Sequence, residues 1–187
     1  NKAIHYFSLA ASSNHAGAQY FLGIIYYKEL HNIEEAIKYF TLAANQNHFE
    51  AQFNLGVIYT NGIDIQKSIH YYTLAANQNL AEAQFNLGVI YYKNIYVRRN
   101  ISKAIYYFNL AANQNFLNAQ LSLGIIYANG KYVCRDILRA IHYLKLAANQ
   151  NSSEAFFYLG IIYERGFHIS SDMNKAIKYF TLSADDN

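Results

Sequence analysis

The string Leu-Gly-(Ile/Val)-Ile-Tyr returns five times along this chain, with its glycine at Gly23, Gly56, Gly88, Gly124 and Gly160, in steps of 33, 32, 36 and 36 residues. Self-similarity at such periods marks stacked helix pairs, in which each repeat buries its apolar side only against its neighbours. A second block follows each glycine, seen as Lys103-Ala104-Ile105-Tyr106-Tyr107-Phe108 and as Lys175-Ala176-Ile177-Lys178-Tyr179-Phe180. It closes with Leu-Ala-Ala or Leu-Ser-Ala, usually followed by Asn-Gln-Asn. The chain therefore divides into a partial repeat at 1–14, second helix only, and five full repeats at 15–47, 48–79, 80–115, 116–151 and 152–187.

Within one period the spacing is helical. Ala51, Leu55, Ile58 and Tyr59 recur at three and four residues and form the apolar stripe of a helix A, and Ile69, Tyr72, Leu74, Ala75 and Ala76 form that of a helix B. Proline is absent, so nothing interrupts either helix. Asn32, Asp64, Asn100, Asp136 and Asp172 stand four residues before the Ala or Ser that opens each B core, where a side-chain oxygen accepts a first-turn N–H. Glu35 is placed to complete a capping box with Asn32. Gly62 and Gly130 follow asparagines at the ends of A helices, where a positive φ is expected. The glycine inside helix A costs about 1 kcal/mol against Ala, so its recurrence predicts a close approach of helix B, with the B-helix alanines as the matching surface. The expected fold is all-α, a right-handed α/α superhelical solenoid of tandem helix-turn-helix repeats.

Leu55, Gly56, Tyr59, Ser68, Tyr72 and Ala75 resemble the tetratricopeptide framework. Ala-Gln-(Phe/Leu)-x-Leu-Gly, Lys-Ala-Ile-x-Tyr and the variable loop are more specifically similar to the Sel-one-like repeat (SLR) family, over essentially the whole chain. Ser68 in place of Ala, Phe156 in place of Gln and two shorter loops depart from the pattern. The resemblance implies an interaction scaffold or adaptor in signalling or protein quality control. It also raises penicillin binding or β-lactam hydrolysis, associated with a cysteine-rich branch whose paired cysteines this chain lacks.

Composition narrows the chemistry. A net charge of +3 selects neither nucleic acid nor membrane as partner. A lone Cys134 forms no intramolecular disulfide, which favours a reducing, cytoplasmic setting. His5, His70 and His142 share one B-helix place but never in adjacent repeats, and His15, His31, His48 and His168 fall in turns or loops, so no metal or cofactor is expected. No nucleophile motif, P-loop or paired carboxylates are present, and no enzyme activity is expected. Lys93, Arg98, Arg99, Lys131, Arg135 and Arg165 lie at or after the ends of A helices, and such a basic loop rim is the alternative site, for phosphate or nucleic acid. The chain starts and stops inside the repeat pattern without polar end caps, as a segment of a longer array carrying other domains would.

A partner is expected in the groove lined by A helices. Counting helix A's alanine as third, the second, sixth, ninth and thirteenth places face away from the core. In the first repeat these are Gly17, Phe21, Ile24 and Lys28, and the ninth place is Ile or Val in every repeat. The sixth and thirteenth vary most. The candidate partner-binding residues for a protein or extended peptide are Glu50, Asn54, Asn61, Glu82, Asn86, Lys93, Asn118, Ser122, Asn129, Tyr158 and Arg165. Asn54 and Asn86 suit a clamp on main-chain amides, replaceable by Ala with little loss of stability.

Overall fold

A computed structural model describes residues 2–62, 64–93, 97–166 and 169–184. His168 lies outside the described residues. Among those described there are eleven helices and no strand. The A helices are α2 (Ala16–Lys28), α4 (Phe49–Asn61), α6 (Ala81–Lys93), α8 (Leu117–Asn129) and α10 (Ser153–Arg165). The B helices are α1 (Lys2–Ser12), α3 (Ile33–Ala44), α5 (Ile65–Asn77), α7 (Ile101–Asn113), α9 (Ile137–Ala148) and α11 (Met173–Ala184). The chain forms two compact units, Asn1–Leu87 and Gly88–Asn187. In unit 1, α1 to α5 pack each on the next, and in unit 2, α7 to α11 do the same. Within the units successive A helices also touch, α2 with α4 and α8 with α10, more closely than successive B helices do.

All five expected caps form. Asn32, Asp64, Asn100, Asp136 and Asp172 accept the backbone N–H three residues on, at 3.0–3.1 Å. The capping box at Glu35 does not form. The Asn32 N–H that it would accept already donates to the carbonyl of the motif tyrosine Tyr26 at 2.9 Å, and Glu35 pairs instead with Lys38 at 3.1 Å. The same bond recurs from Asp64 to Tyr59, Asn100 to Tyr91, Asp136 to Tyr127 and Asp172 to Tyr163. Each motif tyrosine therefore anchors the start of its own B helix by its main chain. Its ring stacks on a B-helix tyrosine, as in Tyr59–Tyr71 and Tyr163–Tyr179, both with centroids 5.7 Å apart.

Gly130 has the expected positive φ, at 62°, but Gly62 does not, at −85°. The Gly62 connection is only three residues long and turns through the bond from Asp64 N–H to the Tyr59 carbonyl. At the other end of the repeat the left-handed residue is asparagine. Asn14, Asn47, Asn79, Asn115 and Asn151 have φ of 59–66° after each B helix, because Asn tolerates this region better than other side chains that carry a Cβ.

The close approach at the helix A glycine is real, but the partner is not an alanine. A Cβ on Gly23, Gly56, Gly88 or Gly160 would stand 2.5–2.6 Å from the ring of Phe40, Tyr72, Phe108 or Phe180, and one on Gly124 would stand 2.6 Å from Leu144. The alanines line the core around these rings with Leu22, Leu55, Leu87, Leu123 and Leu159, all fully buried. Ser68 stands in an alanine's place with its buried hydroxyl satisfied, since it donates to the Gly56 carbonyl at 2.9 Å.

Candidate functional site

Polar side chains on an A helix are held either by the fold or by what they face, and the structure separates the two. Gln19, Gln52, Gln84 and Gln120 are buried, so their amides must find partners. Each Nε2 donates to the last alanine carbonyl of the preceding B helix, Ala11, Ala44, Ala76 or Ala112, at 3.2–3.4 Å. The Oε1 of Gln19, Gln52 and Gln120 accepts from the Asn-Gln-Asn glutamine of the following B helix, Gln46, Gln78 or Gln150, at 2.7–2.8 Å. One glutamine thus ties three consecutive helices. In the sequence these glutamines carry no signal beyond their place in the Ala-Gln motif. Where Phe156 replaces the glutamine, its ring stacks on Tyr179 instead.

The candidate clamp residues also have partners within the fold. Asn54 is half-buried, donates to the Glu50 carbonyl at 2.9 Å and lies near enough to the Tyr20 phenol to lower its pKa. Asn86, also half-buried, lies near enough to the phenol of Tyr72 to lower its pKa, and Tyr72 is buried against Gly56. Burial pushes the phenols of Tyr20 and Tyr72 above their ordinary pKa, Glu50 pushes Tyr20 further, and Asn54 pulls Tyr20, and Thr60 and then Asn86 pull Tyr72, partly back. Tyr20 stacks on His48 at 4.6 Å, whose Nδ1 lies 3.1 Å from the Glu50 carboxylate. Asn54 and Asn86 therefore stand beside tyrosines of the preceding repeat.

The remaining candidates lie closer to solvent. Asn61, Glu82, Lys93, Asn118, Asn129 and Arg165 are exposed, while Ser122, whose hydroxyl donates to the Asn118 carbonyl at 2.7 Å, and Tyr158 are half-buried. Three of them converge in unit 2, where Asn129, Tyr158 and Arg165 line a crevice of about 190 Å³ between α8, α9 and α10. Its floor is Ile137, Ile161 and Ile162, and Arg135 from the loop before α9 completes the rim. The corresponding crevice of unit 1, between α2, α3 and α4, measures about 330 Å³ and is lined by Tyr27, Ile33, Ile37 and Ile58, with Asn61 in the place of Arg165.

Of the basic loop residues, Arg99 donates to the Tyr92 carbonyl at 2.7 Å and its guanidinium lies 4.2 Å from the Tyr132 ring centre. Arg139, not singled out from sequence, pairs with Asp136 at 3.0 Å. Cys134 is exposed. Among the described residues no cluster of His, Cys, Asp and Glu has the arrangement of a metal site, and no helix is long and apolar enough to cross a membrane.

The Sel1 repeat matches at residues 1–15, 16–48, 49–80, 81–116, 117–152 and 153–187. Among solved structures, a protective antigen from uropathogenic Escherichia coli strains, displaying an SLR fold, is similar with a TM-score of 0.90 at 25% identity. The match covers 100% of this chain and 42% of the antigen, so the chain spans less than half of that protein. A Sel1 repeat protein from Oxalobacter formigenes is similar at 29% identity with a TM-score of 0.79, over 93% of this chain and 72% of its own. No curated protein matches the chain.

Proposed function

The chain belongs to the Sel1 repeat family, and from that premise we propose that it is a protein-binding scaffold whose A helices receive an extended segment of a partner, without catalysis of its own. The observation that carries this reading is where the repeats differ. Positions that build the fold are copied from repeat to repeat, as the Leu-Gly pairs and capping residues are. The sixth and thirteenth places of helix A are not, running Phe21, Asn54, Asn86, Ser122, Tyr158 and Lys28, Asn61, Lys93, Asn129, Arg165. Side chains free to vary on a fixed frame let each repeat meet a different part of one ligand. Three of them sharing one crevice in unit 2 supports the same reading.

The test is a photo-crosslinking residue at Ser122 or Tyr158 of the full-length protein in its own cells, against one at His142, exposed on B helix α9. One discrete partner captured from Ser122 and Tyr158 and absent from His142 is the expected result, and capture from His142 alone overturns the groove. Turnover of nitrocefin by the purified chain would overturn the absence of catalysis.

A further inference from the structure

Charge is divided unevenly along this chain. Residues 88–187 carry eleven Lys and Arg against six Asp and Glu, and residues 1–87 carry four against six. Unit 2 also has the longer loops after its A helices, as in the seven residues from Gly130 to Asp136 against three in the loop between α4 and α5. One of these loops delivers a cation to the crevice. Gly130, at φ 62°, lets the chain double back so closely that a Cβ there would stand 2.7 Å from that of Arg135. Arg135 is thereby set beside the end of α8, where its guanidinium reaches the Asn129 carbonyl at 3.5 Å.

We propose that the crevice between α8, α9 and α10 is a recognition pocket for one carboxylate side chain, Glu or Asp, in the extended partner segment. The inference rests on the protein-binding reading and gives the partner its chemistry. Arg135 and Arg165 supply two guanidinium groups at the rim, and Asn129 and Tyr158 add an amide and a phenol. Ile137, Ile161 and Ile162 receive the methylenes. About 190 Å³ is below the ~300–1,000 Å³ typical of cofactor and drug sites, so the crevice holds one side chain rather than a nucleotide.

The local electrostatics favour an anion. The C-terminal ends of α8 and α10 meet here, each equivalent to about −0.5 charge, and Arg135 and Arg165 face them from the rim. Asp136 does not cancel them, because it is paired with Arg139 at 3.0 Å. The unit 1 crevice is the internal contrast, with Asn61 in the place of Arg165 and Asp64 on its rim.

The experiment is a titration of the isotopically labelled chain, followed by NMR, with the capped dipeptides Ac-Leu-Glu-NH2 and Ac-Leu-Gln-NH2. The Glu peptide should shift the signals of Tyr158 and Arg165, and the Gln peptide should bind at least ten-fold more weakly. R135Q/R165Q should lose at least ten-fold, and K145Q, an exposed change on α9, should lose nothing. Should the double variant melt early, R165Q alone decides. Equal binding of the two peptides, or full binding by a folded arginine variant, overturns the proposal. Tighter binding of oligouridylate than of the Glu peptide, falling steeply with salt, overturns it in favour of the phosphate chemistry of nucleic acid. Partner capture at Tyr158 that persists in R135Q/R165Q leaves the scaffold standing and removes only the carboxylate pocket, so the two failures are distinct.

Discussion

At the scale of single residues, three side chains carry different kinds of cost. Gly56→Ala gains about 1 kcal/mol of helix propensity but drives a methyl into the Tyr72 ring, 2.5 Å away, and overpacking costs about 1–3 kcal/mol. The expected outcome is a lower melting temperature, and a higher one would show that the ring yields freely. Asn86→Ala removes an amide that lowers the Tyr72 pKa, so the Tyr72 phenol should titrate at higher pH in that variant, read from its ultraviolet difference spectrum. The pH dependence of Tyr72 has a definite sign. Burial raises its folded pKa above the ordinary 10.0, so its contribution to stability is complete below pH 10 and is lost as pH rises through the folded value. Tyr20, Tyr143 and Tyr179 shift in the same direction, first by burial. Melting temperatures should hold up to about pH 10 and fall above it, and fall less in Tyr72→Phe.

At the scale of helices, much was legible in the sequence. The caps could be read because an Asn or Asp four residues before a small core residue is a local signal, and all five form. The capping box at Glu35 could not be excluded, because its competitor, the Tyr26 carbonyl, lies on the previous helix. The glutamine ties were hidden for the same reason. Gln19 and Gln46 lie 27 residues apart with no periodicity between them, and their bond exists only once two helices are packed. The crevice was half legible, since Asn129, Tyr158 and Arg165 follow from helix geometry whereas Arg135 arrives by a loop whose path no periodic pattern encodes. The caps themselves titrate. Bonds from Lys67 and Lys175 hold the carboxyls of Asp64 and Asp172 below their ordinary range, so their contribution is present above pH 3.8 and lost as pH falls through the lower folded values. D64N/D172N keeps the caps and should flatten the acid limb of stability in circular dichroism.

At the scale of the molecule, the helices α1 to α5 and α7 to α11 rest mainly on their chain neighbours, so damage should stay local. Leu55→Ala opens a hole in a fully buried position, at about 2–5 kcal/mol. Hydrogen exchange should then accelerate in α3, α4 and α5 and leave α10 and α11 protected, and uniform acceleration throughout would show one cooperative block instead. The glutamine ties also bear on how such an array lengthens in evolution. The ties of Gln19, Gln52 and Gln120 each take an acceptor from the helix before and a donor from beyond the helix after, so a duplicated stretch of whole periods, cut at any point in the cycle, arrives with its bonding partners already in register. A duplication that is not a whole number of repeats strands a buried amide at the seam. Growth is therefore quantised by a side chain, and Phe156, which needs no amide partner, marks a repeat released from that rule.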